Sequence, residues 1–465
     1  LSDCLISGAE AIAPVPVLVA TTATLDEVLS EAGGLARVVA TASGFEAGAG
    51  QTLLVPDAAG RLAAVIHGLG KPGDLAPFAL ARVVPALPSG DYTVRGLPGR
   101  ADVALLGLAL QGYRFTRYRQ SESAAKAVRF LVPPAVDLDA LKRQVDAVAW
   151  GRDLVNTPAN DLGPSELAAE AVAFARGNGA LVEVISGDAL LDRGFPLVHA
   201  VGRGSDRSPC LVDIRWGDPA HPKLTLVGKG VVFDTGGLDI KPSAGMLLMK
   251  KDMGGAATAL ATARMIMESG LSVRLRLLLP IVENAISGRA MRPGDVVRSR
   301  KGLTIEINNT DAEGRLILAD ALALADEESP DLLVDFATLT GAARVALGPD
   351  LPPFYTRDDA LADELEPLAE ELADPVWRMP LWQPYRSMLD SKVADLSNVS
   401  SGAFAGSVTA ALFLERFVEK AKAWAHFDVF AWVPSSRPGR PEGGEIQVAR
   451  AIHALATKRW PRRPA

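Results

Sequence analysis

Apolar runs alternate with amphipathic segments from about residue 160 onward. The segments KLTLVGKGVVF (223–233) and VRLRLLLPIV (273–282) are almost continuously apolar, which is typical of strands buried on both faces of a sheet. Between them, MGGAATALATARMIMESG predicts a helix that ends at Gly270. A strand–helix–strand unit follows over 303–341, and a late helix from 408 precedes a last strand over 425–433. This alternation predicts an α/β domain with a central, mostly parallel twisted sheet.

The first third of the chain has shorter apolar runs, such as VPVLVA, QTLLVP and LAAVIHGLG, separated by turns rich in Gly, Pro and Ala. Together with the helical segment LDEVLSEAGGLARVV, they predict a smaller α/β domain that ends at the helix-breaking pair Pro133-Pro134. Leucine and valine then recur at helical spacing until Pro158. We therefore predict an N-terminal domain over 1–134, a linker helix over 135–158 and a larger C-terminal domain over 159–465.

Composition and charge narrow the class of protein. Among the 465 residues, 48% are hydrophobic and 22% charged, which is ordinary globular composition. The net charge of −7 argues against a nucleic-acid partner, because such binding needs a basic surface. Two cysteines, Cys4 and Cys210, are too few for a disulfide framework or a thiolate metal cluster.

Two features predict that the protein is cytoplasmic and does not enter a membrane. The start, LSDCLISGAEAIAP, has an acidic residue where a signal peptide carries basic ones. The most apolar later segment, ADVALLGLALQGYRF, contains Asp102 and is shorter than the roughly 20 residues that a membrane helix needs.

Three segments at strand ends carry most of the unusual polar residues. They are VGKGVVFDTGG with Lys229 and Asp234, DIKPSAGMLLMKKDMGG with Lys241 and Asp252, and NNTDAEGR with Asp311, Glu313 and Arg315. In an open α/β sheet, ligands bind outside the carboxyl ends of the strands, so we expect the three segments to meet at one edge. Four carboxylates suit Mg²⁺, Mn²⁺ or Zn²⁺, and a two-metal site needs bridging carboxylates that hold its ions ~3.5–4 Å apart.

A second interpretation of NNTDAEGR needs no metal. Thr310 followed three residues later by Glu313, just before an apolar run, fits a capping box, in which the two side chains bind backbone N–H groups at the start of a helix. Aspartate at a strand end is also more often a turn or cap residue than a ligand. The residues alone leave the two interpretations open.

The same segments resemble the leucyl aminopeptidase (cytosol aminopeptidase) family of two-metal exopeptidases. The resemblance rests on NTDAEGR at 309–315, VGKGVVFDTGGLDIK and MKKDMGGAA, with further similarity at GYRFTRYR, RDLVNTPAN, DFATLTGA, VADLSNV and TAALFLERFV. It covers roughly residues 105–455. One departure, KPSAGM after Lys241, changes loop residues but no ligand position.

The resemblance implies a role for each site residue. Asp234 and Glu313 would bridge two divalent ions, Mn²⁺ or Zn²⁺, with Lys229 and Asp252 completing the tighter site and Asp311 the more exchangeable one. A water bridging the ions would be the nucleophile.

Further residues would complete the catalytic machinery that the resemblance implies. Lys241 would polarise the scissile carbonyl, and Arg315 would hold a bicarbonate that acts as general base. Met249, Thr338 and Gly341 would line the pocket for the first side chain of the peptide.

The family also implies the substrates and the assembly. We expect peptides with a free N-terminus, a leucine-like preference and a homohexamer whose active sites face an interior cavity. Two alternatives remain at this stage. One is another two-metal hydrolase, such as a phosphatase; the other is a binding protein whose N-terminal domain carries the function.

Overall fold

A computed structural model describes residues 1–73, 78–97, 99–120 and 126–462. The chain divides into two compact units, Leu1–Ala149 with Pro434–Glu442, and Trp150–Val433 with Gly443–Ala465. The division falls inside a helix over Leu138–Asn156. The boundaries after residues 134 and 158 stay predictions.

The first unit is built on a mostly parallel sheet. Its strands are β1 (Leu5–Ile6), β2 (Val15–Ala20), β3 (Thr52–Pro56), β4 (Leu62–Gly68), β5 (Gly90–Arg95) and β6 (Val128–Leu131). Its helices are α1 (Leu25–Glu31), α2 (Ala36–Ser43), α3 (Ala101–Gln111) and most of α4 (Leu138–Asn156). The strand order is β1-β6-β5-β2-β4-β3, and only the β3–β4 pair is antiparallel among the described strands.

The second unit contains the remaining strands and helices. Its strands are β7 (Leu181–Ser186), β8 (Cys210–Trp216), β9 (Lys223–Gly228), β10 (Gly230–Asp234), β11 (Arg274–Asn284), β12 (Val296–Arg298), β13 (Thr304–Glu306), β14 (Leu332–Ala337), β15 (Pro353–Tyr355), β16 (Trp377–Arg378), β17 (Leu396–Ser397), β18 (Trp424–Asp428), β19 (Trp432–Val433) and β20 (Gly443–Gly444). Its helices are α5 (Pro164–Gly177), α6 (Ala189–Asp192), α7 (Pro196–Gly202), α8 (Ser243–Met246), α9 (Gly254–Glu268), α10 (Glu313–Asp326), α11 (Gly341–Leu347), α12 (Asp359–Glu371), α13 (Gly406–Glu415) and α14 (Ala449–Arg459). Short 3₁₀ helices span Ser2–Cys4, Ala79–Ala86, Met249–Met253 and Gln383–Leu389.

The main sheet of the second unit has the order β16-β15-β18-β14-β9-β11-β8-β7, and β10 also pairs with β11. The pairs β18–β14, β14–β9, β9–β11 and β10–β11 are parallel, whereas β8 and β7 continue the sheet antiparallel. Helix α9 packs against β9 and β14, and α10 packs against β11 and α13. The predicted fold class, a smaller N-terminal α/β domain and a larger one with a mostly parallel sheet, is confirmed.

Three predicted elements differ in extent. The segment 25–39 forms two helices, since Gly33 takes φ +95° between α1 and α2. The run 223–233 is broken at Lys229, where β9 ends and β10 begins. The helix predicted from 408 ends at Glu415, and the N–H groups of Lys420 and Ala421 instead donate to Asp326 Oδ1, both at 2.8 Å. Over the described ranges, no helix combines the length and apolar content needed to cross a membrane.

Candidate active site

The polar residues at the strand ends converge in the second unit. Lys229 lies between β9 and β10, Asp234 ends β10, and Glu313 begins α10. Asp252 belongs to the 3₁₀ helix Met249–Met253, which leads into α9. Because β9, β10 and β14 run parallel, their carboxyl ends lie at one edge of the sheet, and the loops that follow them carry the charged groups.

Lys229 is buried among carboxylates. Its Nζ lies 2.7 Å from Asp252 Oδ2 and 2.9 Å from Glu313 Oε1, and it donates a hydrogen bond of 2.8 Å to the Thr338 carbonyl. Burial by itself lowers the pKa of this amine, but the charges of Asp252 and Glu313 outweigh burial and hold the pKa above its usual value. A Cβ on Gly314 would stand 2.5 Å from Lys229 Cε, so a glycine there makes room for the lysine.

Lys241 contacts the other two carboxylates. Its Nζ lies 2.7 Å from Asp234 Oδ2 and is also paired with Asp311. The second oxygen of Asp234 accepts hydrogen bonds from the Gly236 N–H at 2.9 Å and from Asn284 Nδ2 at 2.8 Å. Asp234 is therefore held in one orientation by groups from β11 and from the turn that follows β10.

The carboxylates fit divalent metal ions. One ligand oxygen from each of Asp234, Asp252 and Glu313 lies within 4.8 Å of the others, and all three residues are buried. Glu313 Oε2 is buried without a hydrogen-bond partner among the described residues. Buried anionic oxygens at such spacing are the donors that Mg²⁺, Mn²⁺ and Zn²⁺ bind.

Burial and, second to it, mutual repulsion raise the pKa values of two carboxyl groups in the cluster. Burial, followed by the charge of Asp234, raises the pKa of Glu313 to about 8 and that of Asp311 to about 6. Closely spaced carboxylates therefore resist ionisation unless positive charge lies between them. The two lysines supply part of that charge, and divalent cations suit the same position.

The structure does not support a capping box at the start of α10. The N-cap residue is Ala312, and the structure shows no side-chain capping hydrogen bond at this position. Thr310 Oγ1 instead donates to the Gly236 carbonyl at 2.6 Å and accepts from the Asp239 N–H at 2.9 Å, so it ties two site loops together. Glu313 faces Lys229 rather than a backbone N–H.

Arg315 lies two residues into α10 and is buried. Its Nη1 donates to the Asn398 carbonyl at 2.8 Å, while its Nε has no hydrogen-bond partner in the described part of the chain. Burial lowers the pKa of the guanidinium to about 10, against the opposing charge of Glu313. An arginine held this way keeps a donor available for an anion.

Of the predicted pocket residues, Thr338 contacts the charged cluster directly. Its hydroxyl donates to Asp252 Oδ1 at 2.8 Å, and its carbonyl accepts from Lys229. Met249 is half-buried at the start of the 3₁₀ helix that carries Asp252, and Gly341 is exposed at the start of α11. All three lie on segments that carry or contact charged site residues.

Sequence reasoning missed three residues that position the site. Asn284 binds Asp234, and Asn398 accepts from the Asn308 and Asn309 N–H groups at 2.8 and 3.2 Å. Asp428 accepts from the Leu339 and Thr340 N–H groups and from Thr340 Oγ1, at 3.0, 3.2 and 2.6 Å. The available signal was a polar residue at the end of a mostly apolar strand, as in RLRLLLPIVEN and AHFDVF.

Comparison with known proteins identifies both units. Residues 149–453 match the family model described as the cytosol aminopeptidase family, catalytic domain, and residues 15–133 match the M17 aminopeptidase N-terminal domain. A probable cytosol aminopeptidase of Rhodococcus opacus (strain B4) is 44% identical over 338 residues, which is 70% of this chain and 67% of that protein. One from Brucella anthropi is 39% identical over 439 residues, 87% of each chain.

Solved structures agree with this similarity. The cytosol aminopeptidase from Coxiella burnetii superposes with a TM-score of 0.93 at 44% identity, covering 98% of this chain and 100% of that one. The bottromycin maturation enzyme BotP in complex with Mn gives a TM-score of 0.85 at 34% identity, covering 96% and 100%. The predicted family is confirmed, and the chain belongs to the cytosol aminopeptidase family of metal-dependent exopeptidases.

Proposed function

We propose that the protein removes single residues from the free N-terminus of peptides, with a leucine-like preference, by hydrolysis that depends on two divalent ions, Mn²⁺ or Zn²⁺. The observation that carries the proposal is the buried cluster of Asp234, Asp252 and Glu313, whose ligand oxygens lie within 4.8 Å of one another with Lys229 among them. We propose that the enzyme works in the cytoplasm.

The proposed metal ligands are divided between two ions. Asp234 and Glu313 would be shared, Lys229 and Asp252 would belong to the tighter ion, and Asp311 to the more exchangeable one. When bound, the ions lower the pKa of a water between them and act as Lewis acids toward the scissile carbonyl. Thr338 supports this arrangement, because its hydroxyl orients Asp252 and its carbonyl holds Lys229 Nζ.

Two cationic residues are proposed to act on the substrate. The ammonium of Lys241, which lies beside Asp234 and Asp311, would donate to the carbonyl oxygen and stabilise the negative charge that develops on it. Arg315 would hold a bicarbonate through its free Nε, and this anion would accept the proton of the attacking water. Met249, Thr338 and Gly341 would line the pocket for the first side chain.

The substrate class can be tested against the phosphatase alternative. The purified protein is stripped with a chelator, reloaded with Mn²⁺, Zn²⁺, Co²⁺ or Mg²⁺, and assayed with Leu-p-nitroanilide and with p-nitrophenyl phosphate. We expect the reloaded protein to cleave the anilide and leave the phosphate ester intact. N-acetyl-Leu-p-nitroanilide is the matched control, since blocking the amine should abolish cleavage. Hydrolysis of the ester, or equal cleavage of the acetylated substrate, would contradict the proposal.

A further inference from the structure

Two cationic side chains lie against one aromatic ring beside the candidate site. The Nζ of Lys251 lies 4.7 Å from the centroid of the Phe430 ring, and the guanidinium carbon of Arg344 lies 4.6 Å from the same centroid. Phe430 is half-buried, and Lys251 is only 2% exposed. We call these three residues the cationic cluster.

Neither side chain forms an ion pair in the part of the chain that the structure describes. Within the described ranges, no acidic oxygen lies at ion-pair distance from Lys251 or Arg344, and the hydrogen bond of Arg344 goes to the Thr340 carbonyl at 3.3 Å. The neighbouring Lys250 differs, since its Nζ donates to the Asn156 carbonyl at 2.6 Å. The buried amine of Lys251 and the guanidinium of Arg344 lie against the same ring, so an anion that reaches both meets two hydrogen-bond donors. The cluster therefore has the character of an anion site.

The cluster borders the pocket proposed for the first side chain of the peptide. Lys251 lies two residues after Met249 in the same 3₁₀ helix. Arg344 lies in the first turn of α11, and a Cβ added to Gly341 would stand 3.7 Å from Arg344 Nη2. The guanidinium thus faces the exposed glycine that is proposed to line this pocket.

We propose that Lys251 and Arg344 bind the side-chain carboxylate of an N-terminal glutamate or aspartate, so that acidic peptides form a substrate class of this enzyme. The inference rests on the proposed aminopeptidase function and adds a substrate class to it. In this proposal the guanidinium of Arg344 donates to both carboxylate oxygens, and the amine of Lys251 donates a further hydrogen bond. The Phe430 ring packs against the methylene groups of the same substrate side chain. The side chain of an apolar first residue would contact the Phe430 ring without an ionic partner.

The test compares α-glutamyl-, glutaminyl- and leucyl-p-nitroanilide, because glutamate and glutamine differ in charge but hardly in shape. For the metal-loaded unmodified protein, we expect kcat/KM for the glutamyl substrate to exceed that for the glutaminyl one by about tenfold or more. Arg344→Met should bring kcat/KM for the glutamyl substrate down to that for the glutaminyl one. It should leave kcat/KM for the leucyl substrate within about threefold of the unmodified protein. Lys250→Met is the matched control and should preserve the ratio.

Two further variants separate recognition from a structural role. Arg344→Glu should reverse the preference and favour lysyl- over glutamyl-p-nitroanilide. Lys251→Met should lower the glutamyl-to-glutaminyl ratio while the metal content per chain, measured by mass spectrometry, stays that of the unmodified protein.

Several outcomes would overturn the inference while the proposed function stands. One is a kcat/KM for the glutamyl substrate that is equal to or below that for the glutaminyl substrate in the unmodified protein. Another is an equal loss of kcat/KM for all three substrates in Arg344→Met. If Arg344→Met instead weakened cleavage of Leu-Gly but not of Leu-Gly-amide, the cluster would bind the C-terminal carboxylate of a dipeptide, and the side-chain assignment would be wrong. Failure of the reloaded protein to cleave even the leucyl substrate would remove the aminopeptidase proposal itself.

Discussion

Among single residues, Lys229 is the one on which the proposed metal site depends most. It lies where β9 passes into β10, and its Nζ is within 2.9 Å of both Asp252 and Glu313. A lysine binds a metal only as the neutral amine, whereas these carboxylates raise the pKa of Lys229. A proton must therefore leave when the metal enters, so affinity for the tighter ion should rise with pH.

We predict that Lys229→Arg lowers affinity for the tighter ion by about a hundredfold or more, because arginine keeps its proton and offers no lone pair. Metal content per chain and anilide hydrolysis are measured after dialysis against limiting Mn²⁺. Lys223→Arg is the control, since Lys223 begins β9, the strand that ends just before Lys229, and its Nζ donates to the Glu328 carbonyl, away from the carboxylate cluster. Two ions held at normal affinity in Lys229→Arg would remove Lys229 from the ligand set.

We predict that Asp311→Asn keeps the fold but lowers kcat by about a hundredfold, because the amide removes one negative donor from an ion that prefers anionic oxygens. If Asp311 were only a turn residue, the substitution would cost about 0.5–2 kcal/mol of stability and leave turnover unchanged. Rate and melting temperature are measured together. Asp218→Asn, at a surface turn where Asp218 binds the Ala220 N–H, shows the purely structural effect.

At the level of elements, the sequence predicted which strand and helix ends carry the proposed ligands but not the contacts around these residues. The apolar runs in front of Asp234 and of NNTDAEGR predicted strands at these two places, and the structure has β10 and β13 there. The break at Lys229 was not predictable, since it arises when the backbone of Lys229 bonds with Phe336 and Ala256 from other elements. Asn284 and Asp428 were missed because the groups that their side chains hold, Asp234 and the Thr340 N–H, belong to other elements.

The NNTDAEGR segment shows the limit of local interpretation. Its spacing fits a capping box, and only the fold shows Thr310 bonded to Gly236 and Asp239 while Glu313 faces Lys229. Polar residues three positions apart are found both in a capping box and in a metal site at the start of a helix, because both need polar groups in the first helical turn. The metal-binding role of Asp311 and Glu313 rests on the family resemblance and stays a proposal.

Strands β8 and β11 are joined by a buried ion pair whose contribution should depend on pH. Arg276 donates to both oxygens of Asp213 at 3.0 and 2.7 Å. Burial alone raises the pKa of Asp213, but its hydrogen bonds with Arg276 prevail and the pKa is lowered. Because the pKa of Asp213 is lower in the folded than in the unfolded protein, the ionised carboxylate stabilises the fold at pH values above the unfolded-state pKa of about 3.9. This stabilisation is lost as the pH falls through the folded-state pKa.

We therefore predict that Asp213→Asn lowers stability by about 3–5 kcal/mol between pH 6 and 8, with the difference shrinking below about pH 4. Apparent melting temperatures across this range measure it. Glu183→Gln is the control, because Glu183 pairs with Arg193 at an exposed position where ion pairs contribute about 0–1 kcal/mol. A loss for Asp213→Asn that does not shrink as the pH falls further below about 4 would contradict a role for the ionised pair.

For the whole molecule, we predict a homohexamer with active sites facing an interior cavity. The second unit exposes large apolar side chains, with Val345 90%, Phe404 83% and Leu247 79% exposed, and such residues favour protein interfaces. Multi-angle light scattering at micromolar concentration should give six times the mass of one chain. A monomer mass with full peptidase activity would rule out assembly as a requirement for the site.

We propose that the cluster of Asp234, Asp252, Asp311, Glu313 and Lys229 holds two catalytic metal ions. Anomalous diffraction from crystals of the protein reloaded with Mn²⁺ tests this most directly, because the signal locates the metal independently of activity. We expect two anomalous peaks per chain about 3.5–4 Å apart, both within bonding distance of Asp234 and Glu313. A single peak outside this cluster, or none in protein that hydrolyses Leu-p-nitroanilide, would contradict the account.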